Sequence, residues 1–150
     1  MIGILTNEEI AELLRTNVLG RIGCNDGEKN YVVPINYAFD GKDIIAHSAM
    51  GLKIKIMRKN PQVCFEVDEM HSFTNWKSVI AWGEYQELRS QRERYYAIKL
   101  FADRMMHIKI SETAIPPANG EYPLVFRQEA NSKSVIYRIV VNELSGRFES

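Results

Sequence analysis

Between residues 18 and 47 the chain alternates short β-prone runs with tight glycine turns, and this pattern narrows the possible folds more than any other feature. Val18-Leu-Gly-Arg-Ile-Gly-Cys24 reads as a strand, Asn25-Asp-Gly27 as a turn, and Tyr31-Val-Val-Pro-Ile-Asn-Tyr-Ala-Phe39 as a second strand. Asp40-Gly41 turns again into Asp43-Ile-Ile-Ala-His47. Asx-Gly pairs flanked by such runs are strong hairpin signals. The spacing predicts a three-stranded antiparallel meander. Pro34 interrupts the second strand, and a proline cannot donate to a ladder, so an edge or a bulge is expected there. Such backbone often leaves hydrogen-bonding groups free for a ligand.

Elsewhere the period changes. Thr6 with Glu9 forms a capping box, and Ile10, Leu13 and Leu14 follow at helical spacing, predicting a helix over 7–16. A second helix is expected from Lys53 through Arg58, stopped by Asn60-Pro61. Strands are expected over 63–67 and 78–88, with Gly83 a bulge or close approach. A longer helix over 90–107 carries Tyr95, Ile98, Phe101, Ala102 and Met105 as its apolar stripe. A loop containing Pro116-Pro117 and Asn119-Gly120 follows, then strands near 124–127 and 135–141. About seven strands and three helices, without repeat or linker, predict one mainly β domain over residues 1–150: a small antiparallel barrel with peripheral helices.

The charge balance limits the partners. The 19 Lys and Arg are matched by 19 Asp and Glu, which argues against a bulk nucleic-acid binder needing a positive excess for phosphates. No window approaches the ~18 apolar residues of a membrane span, and the N-terminus lacks a basic signal-peptide region. A cytoplasmic protein without a membrane partner is expected. Cys24 and Cys64 lie in apolar runs and read as core packing.

Against this neutral background, residues 47–59 contain Lys53, Lys55, Arg58 and Lys59 and no acidic residue. Ser48, Ala49 and Gly51 fall where a strand gives way to a helix, and a helix N-terminus offers N–H groups to an anion. A phosphate cradle and a solvated basic helix both explain these residues. His47 reads either as a hydrogen-bonded structural residue or as a chemical group. His71 and His107 fit no metal-ligand spacing with it. Tyr37, Phe39, Trp76 and Trp82 are candidates for stacking on a planar ligand or for core packing. Asn75-Trp-Lys-Ser-Val79 reads as a pocket rim or a loop leading into a strand.

Several segments, in order, resemble the flavin-binding split-barrel superfamily of pyridoxamine 5′-phosphate oxidase, in particular the branch of nitroimidazole-resistance proteins. They are Gly20-Arg-Ile-Gly23, Tyr31-Val-Val-Pro-Ile-Asn-Tyr37, Ile45-Ala-His-Ser-Ala49 with Gly51 and Lys53, Arg58-Lys-Asn-Pro61, Ser78-Val79 with Gly83, and Ser145-Gly-Arg147. The resemblance implies a Greek-key antiparallel split β-barrel and a homodimer with FMN at its interface. By position, Pro34, Ile35, Asn36 and Tyr37 would run along the isoalloxazine ring. His47, Ser48, Ala49, Gly51 and Lys53 would surround the phosphate, and Trp76, Ser78 and Val79 would approach the cofactor from the same or the partner subunit. A histidine at the His47 position is tied to activity in the nitroimidazole-resistance relatives. Pyridoxamine phosphate oxidase proper pairs a C-terminal arginine with a histidine two residues later. Arg138 and Arg147 have no such partner, so vitamin B6 oxidation is not implied.

The resulting expectation is an FMN-dependent oxidoreductase that passes electrons to a small, electron-poor acceptor of nitroaromatic type, with NAD(P)H as a reductant. A non-catalytic flavin-binding or sensing module is the alternative from another class. A haem-binding relative of the same fold, with His47, His71 or His107 as axial ligand, is the third.

Overall fold

A computed structural model of the chain describes residues 1–113 and 134–150. The elements run β1 (Ile2–Ile4), α1 (Asn7–Thr16), β2 (Leu19–Asn25), β3 (Asn30–Asn36), β4 (Ala38–Phe39), β5 (Ile44–Ser48), α2 (Leu52–Lys59), β6 (Gln62–Ser72), β7 (Asn75–Glu87), α3 (Gln91–Thr113) and β8 (Val135–Glu149). The fold is mainly β, a curled antiparallel sheet with helices packed on it, as the sequence implies. The expected strand near 124–127 and the loop with Pro116-Pro117 and Asn119-Gly120 lie outside the described residues. Among the described residues no helix is long and apolar enough to cross a membrane.

The meander is corrected. The expected second strand is two strands, broken at Tyr37: β3 pairs with β2, and β4 pairs with β5. The sheet order is β3-β2-β6-β7-β8-β5-β4, with β1 added to β8. β3 and β4 are therefore opposite ends of the strand path, although one residue joins them in sequence. The sheet must curl until its ends meet at that residue, which gives a barrel split between β3 and β4. Both expected hairpin turns survive, with positive φ at Gly27 (102°) and Gly41 (96°), a conformation that glycine adopts without steric cost. Pro34 lies on an edge strand, as expected from its missing N–H.

Tyr37 holds the corner. Its side chain is fully buried, and its ring meets Phe65 edge-on with centroids 4.8 Å apart. Its backbone N donates to the Val18 carbonyl at 2.9 Å, and its hydroxyl donates to the Leu14 carbonyl at 2.7 Å. Leu14 is in the last turn of α1, where carbonyls have no intrahelical partner. Asn17 Nδ2 donates to the Leu13 carbonyl at 2.9 Å and Arg104 to that of Thr16 at 2.7 Å, so this helix end is tied to two other parts of the chain. Burial raises the Tyr37 phenol well above its ordinary range, so it remains a donor.

The capping box at Thr6 and Glu9 forms as expected, and α1 buries Ile10, Leu13 and Leu14 in the main core with Ile22, Phe65, Val79 and Tyr137. α2 adds Ile54, Ile56 and Met57 to it. α3 lies outside the barrel, where Ala97 and Ile98 pack against Ile45, Leu88 and Ile136. Tyr95, expected on its buried stripe, is exposed. The long strands exceed the sequence expectation. β7 begins at Asn75, so Asn75-Trp-Lys-Ser-Val79 is ladder rather than loop, and β8 continues through Ser145-Gly-Arg147. The expected irregularity at Gly83 is present as a register shift between Trp82 and Gly83.

Tyr37→Phe is expected to destabilise the fold by about 1–2 kcal/mol, because it leaves a buried carbonyl without its donor. Tyr37→Ala should cost about 3–5 kcal/mol by adding a cavity. Urea unfolding checks both, and a Phe variant as stable as the parent would remove the corner bond from the account.

Candidate functional site

Alternation along β3 sorts the predicted ring-binding residues. Val32, Pro34 and Asn36 face outward and are exposed, whereas Tyr31, Val33 and Ile35 face the core. As the end strand of the path, β3 pairs among the described residues only with β2, so part of its backbone is turned away from that ladder. Ile35 and Tyr37 are core side chains. Only Pro34 and Asn36 of the 34–37 segment present side chains to a ligand on the outer face.

The 47–53 segment leaves β5 and enters α2. His47 is half-buried and packs edge-on against Phe101, with ring centroids 4.6 Å apart. The Ser48 hydroxyl donates to the Ala49 carbonyl at 2.7 Å. Gly51 is the N-cap of α2 and supplies no side-chain cap, so the first-turn N–H groups receive no help from that position. Lys53 is half-buried. Its ammonium acts on the Cys24 thiol, lowering its pKa, but burial dominates and raises that thiol overall, with Cys64 and Asp26 adding to the rise. Cys24 pairs with Tyr31 in the ladder. α2 packs against β2, the ladder partner of β3, on which Pro34 to Asn36 lie three to five residues beyond Tyr31, roughly 10–17 Å of strand.

Trp76, Ser78 and Val79 stand apart. His47 pairs with Ile136 and Ser78 with Arg147, so 11 residues of β8 separate them, on the order of 35 Å of strand. One protomer does not bring these residues to the 47–53 segment. Val79 is buried, Trp76 Nε1 donates to Glu149 at 3.0 Å, and Ser78 donates to Glu66 at 3.1 Å. Ile80 shares the cross-strand row of Pro34, Arg21 and Glu66. In the same outer face Arg21 lies 3.5 Å from both Glu66 and Asp68. Burial first, then Asp68, raises the Glu66 carboxyl.

A cleft of about 580 Å³ opens beside the first half of β3, with Val32, Trp82, Gly23 and Cys64 among its lining residues. Of the four aromatic candidates Trp82 is the most exposed, at 39%; Phe39 and Trp76 are half-buried and Tyr37 is buried. Sequence reasoning did not find the cluster at the other end of α2. There Arg58 binds Glu87 through two nitrogens, Tyr85 donates to Glu87 at 2.7 Å, and Arg89 lies 3.3 Å from it. Its only sequence signal was the basic run that contains Arg58. His71 is exposed on β6, and the side chain of His107 lies outside the described residues. Among the described residues no group of three or more His, Cys, Asp or Glu is placed to hold a metal ion.

Comparison with known proteins adds a frame to this geometry. The family model for pyridoxamine 5′-phosphate oxidase matches residues 6–148. An uncharacterized protein of Rhizobium meliloti (strain 1021) is 38% identical over 85 residues, covering 57% of this chain and 56% of that relative. The chain therefore matches just over half the length of that relative. A FAD-binding protein of Mesorhizobium loti has a similar structure, with TM-score 0.73 and 28% identity over 100% of this chain and 99% of that one. A putative 5-nitroimidazole antibiotic resistance protein of Bacteroides thetaiotaomicron shares the fold at TM-score 0.74 and 15% identity, over 99% and 87% of the two chains.

The Glu87 cluster makes a pH-dependent contribution to stability. Hydrogen bonding from Arg58, aided by Tyr85, holds the Glu87 carboxyl below the ordinary carboxylate range. A carboxyl depressed in the folded state stabilises above its unfolded value, about 4.3, and that contribution is lost as pH falls through the lower folded value. Glu87→Gln should therefore soften the acid loss of stability below about pH 4.3. Urea unfolding at pH 6 and pH 3 checks it, and an identical acid loss in both proteins would contradict the assignment.

Proposed function

The chain belongs to the pyridoxamine 5′-phosphate oxidase family, and on that premise we propose that it is an FMN-binding oxidoreductase whose flavin lies along β3. The observation that carries this reading is the packing of α2, which bears Lys53, against β2 beside the end strand β3, whose outer face presents Pro34 and Asn36. An elongated ligand with an anionic tail and a planar head fits that strip. Gly51 lacks a capping side chain and Lys53 is half-buried beside it, which suits a phosphate seated on the first turn of α2. The Mesorhizobium loti structure is of a FAD-binding protein, which supports a flavin as the ligand class.

In this reading Lys53 neutralises the phosphate, and Ser48 exchanges the Ala49 carbonyl for a phosphate oxygen. Pro34 and Asn36 face the ring from the outer surface of β3. His47, braced by Phe101, stands at the strand end as a proton-bearing or cofactor-holding group. When bound, the flavin supplies the redox chemistry, taking electrons from NAD(P)H and giving them to a small, electron-poor acceptor of nitroaromatic type. The cleft between Val32 and Trp82 adjoins the same strand and has room for such an acceptor. Arg138 faces Asp43 at 3.7 Å and has no histidine partner for vitamin B6 chemistry.

The working unit in this proposal is a cytoplasmic homodimer with FMN at its interface. Val32 and Trp82, in one cross-strand row through Gly23 and Cys64, are 65% and 39% exposed, an apolar pair that favours a protein partner. Trp76 and Ser78, too far along the ladder to reach the cradle of their own protomer, would meet the flavin from a second copy.

Lys53→Ala is expected to weaken FMN binding about 10- to 100-fold, since it leaves phosphate charge uncompensated. Fluorescence titration measures it, and unchanged affinity would remove Lys53 from the cradle. Sedimentation equilibrium should give twice the chain mass, and Trp82→Glu should shift the protein toward monomer. A parent protein that is monomeric with FMN bound would overturn the shared site.

A further inference from the structure

A quarter of the chain is Asp, Glu, Lys or Arg, yet none of the described residues lining the cleft beside β3 carries a charge. Four carboxamides, Asn25, Asn30, Gln62 and Asn142, line it together with Val32, Trp82 and small or apolar residues. Its volume of about 580 Å³ is that of a small-molecule site. Asn25 is committed: its Nδ2 donates to Asn30 Oδ1 at 2.6 Å, and its Oδ1 accepts from Gly27 N at 2.6 Å. The Asn30 amide nitrogen is thereby left to donate elsewhere. The side chains of Gln62 and Asn142 have no hydrogen-bond partner among the described residues. Each offers a donor and an acceptor in one plane without charge, beside the exposed ring of Trp82.

Asn142 reaches the cleft through an irregularity of β8. Trp82 pairs with Glu143 and Gly83 with Val141, so Asn142 is the extra residue of a bulge, a device that re-aims a side chain. The bulge is built in from both strands. A Cβ on residue 83 would lie 2.3 Å from the Val140 carbonyl oxygen, so only glycine fits there. Beside the extra residue, Val141 N donates to Asp43 Oδ1 at 3.1 Å, and Asp43 is 3% exposed. A buried carboxylate is costly to keep, and the strip along β3 uses neither it nor the bulge. We propose that the cleft binds an uncharged, flat ring bearing an amide group, stacked on Trp82 and hydrogen-bonded by Asn30, Gln62 and Asn142. An anion would meet no cation among the described lining residues, and a cation no carboxylate. An amide edge matches because it too sets a donor beside an acceptor. Two sources carry that chemistry: a small-molecule electron acceptor, or the nicotinamide ring of a reductant. A place in a redox reaction rests on the flavin reading; the affinity for the ring does not.

The test uses the full chain as isolated and two matched probes, nicotinamide and nicotinate, which differ as amide against carboxylate. NMR titration, followed on the Trp82 indole N–H, is expected to show nicotinamide binding with a Kd on the order of 1 mM. Nicotinate should bind at least about tenfold more weakly, since its charge loses water and gains no cation. The double variant Gln62→Ala/Asn142→Ala should weaken nicotinamide about five- to tenfold. Both positions are exposed, so the variant should unfold at the parent's urea midpoint. A matching loss of NADH affinity identifies the reductant's ring as the occupant, and unchanged NADH affinity identifies a separate acceptor. Nicotinamide that fails to bind the parent, as it would if a second copy filled the cleft, overturns the site. Equal binding to parent and variant, or nicotinate bound as tightly as nicotinamide, overturns it too. If the chain takes up no FMN the flavin reading fails, and the nicotinamide titrations still decide what the cleft holds.

Discussion

Two hydrogen bonds from one buried tyrosine position nearly everything else. Tyr37 joins the two end strands of the sheet, and it donates through its backbone to Val18 and through its hydroxyl to Leu14. Without that corner β3 and β4 would run on as one strand, and the two ends of the sheet would not be pinned together. With it, β3 becomes an edge whose outward face is Val32, Pro34 and Asn36. The same residue satisfies a carbonyl at the end of α1, so the helix that plugs the barrel and the edge that would receive a ligand share one anchor. Burial of the phenol makes this anchor costly to break.

The electrostatics follow from the same layout. A chain with balanced charges keeps an acid-free basic stretch from His47 to Lys59 by placing it across one short helix. Lys53 lies in its first turn, and Arg58 near its end is locked to Glu87 of β7. One eight-residue helix thereby presents cations at both of its ends to different surroundings. Glu87 is largely buried while Arg58 is partly exposed, so the pair is more than a surface contact.

Much of this was legible in the residues. Thr6 and Glu9 announced a helix start, Pro34 an edge strand and Gly83 an irregularity, because each is a local constraint that tertiary packing had no need to override. The break at Tyr37 was not legible: Tyr31 to Phe39 reads as one β-prone run, and only the pairing partners on its two halves divide it. The lengths of β7 and β8 were hidden likewise. Polar residues such as Asn75 and Lys77 left a loop open, yet they lie on the solvated side of long ladders. For the site, the Ser48-to-Lys53 pattern was visible at the strand-to-helix junction. The cluster of Arg58, Glu87, Arg89 and Arg94 was not, since its members lie up to 36 residues apart and meet only after β7 and α3 are in place.

The central claim is that this strip along β3 holds a flavin. The visible absorption spectrum of the purified chain, recorded as isolated and during titration with FMN, tests it most directly when followed by acid release of the chromophore. A yellow protein that saturates at one flavin per chain and releases it on acidification is expected. Colourless protein that leaves the spectrum of added FMN unperturbed, or a Soret band in place of flavin bands, would contradict it.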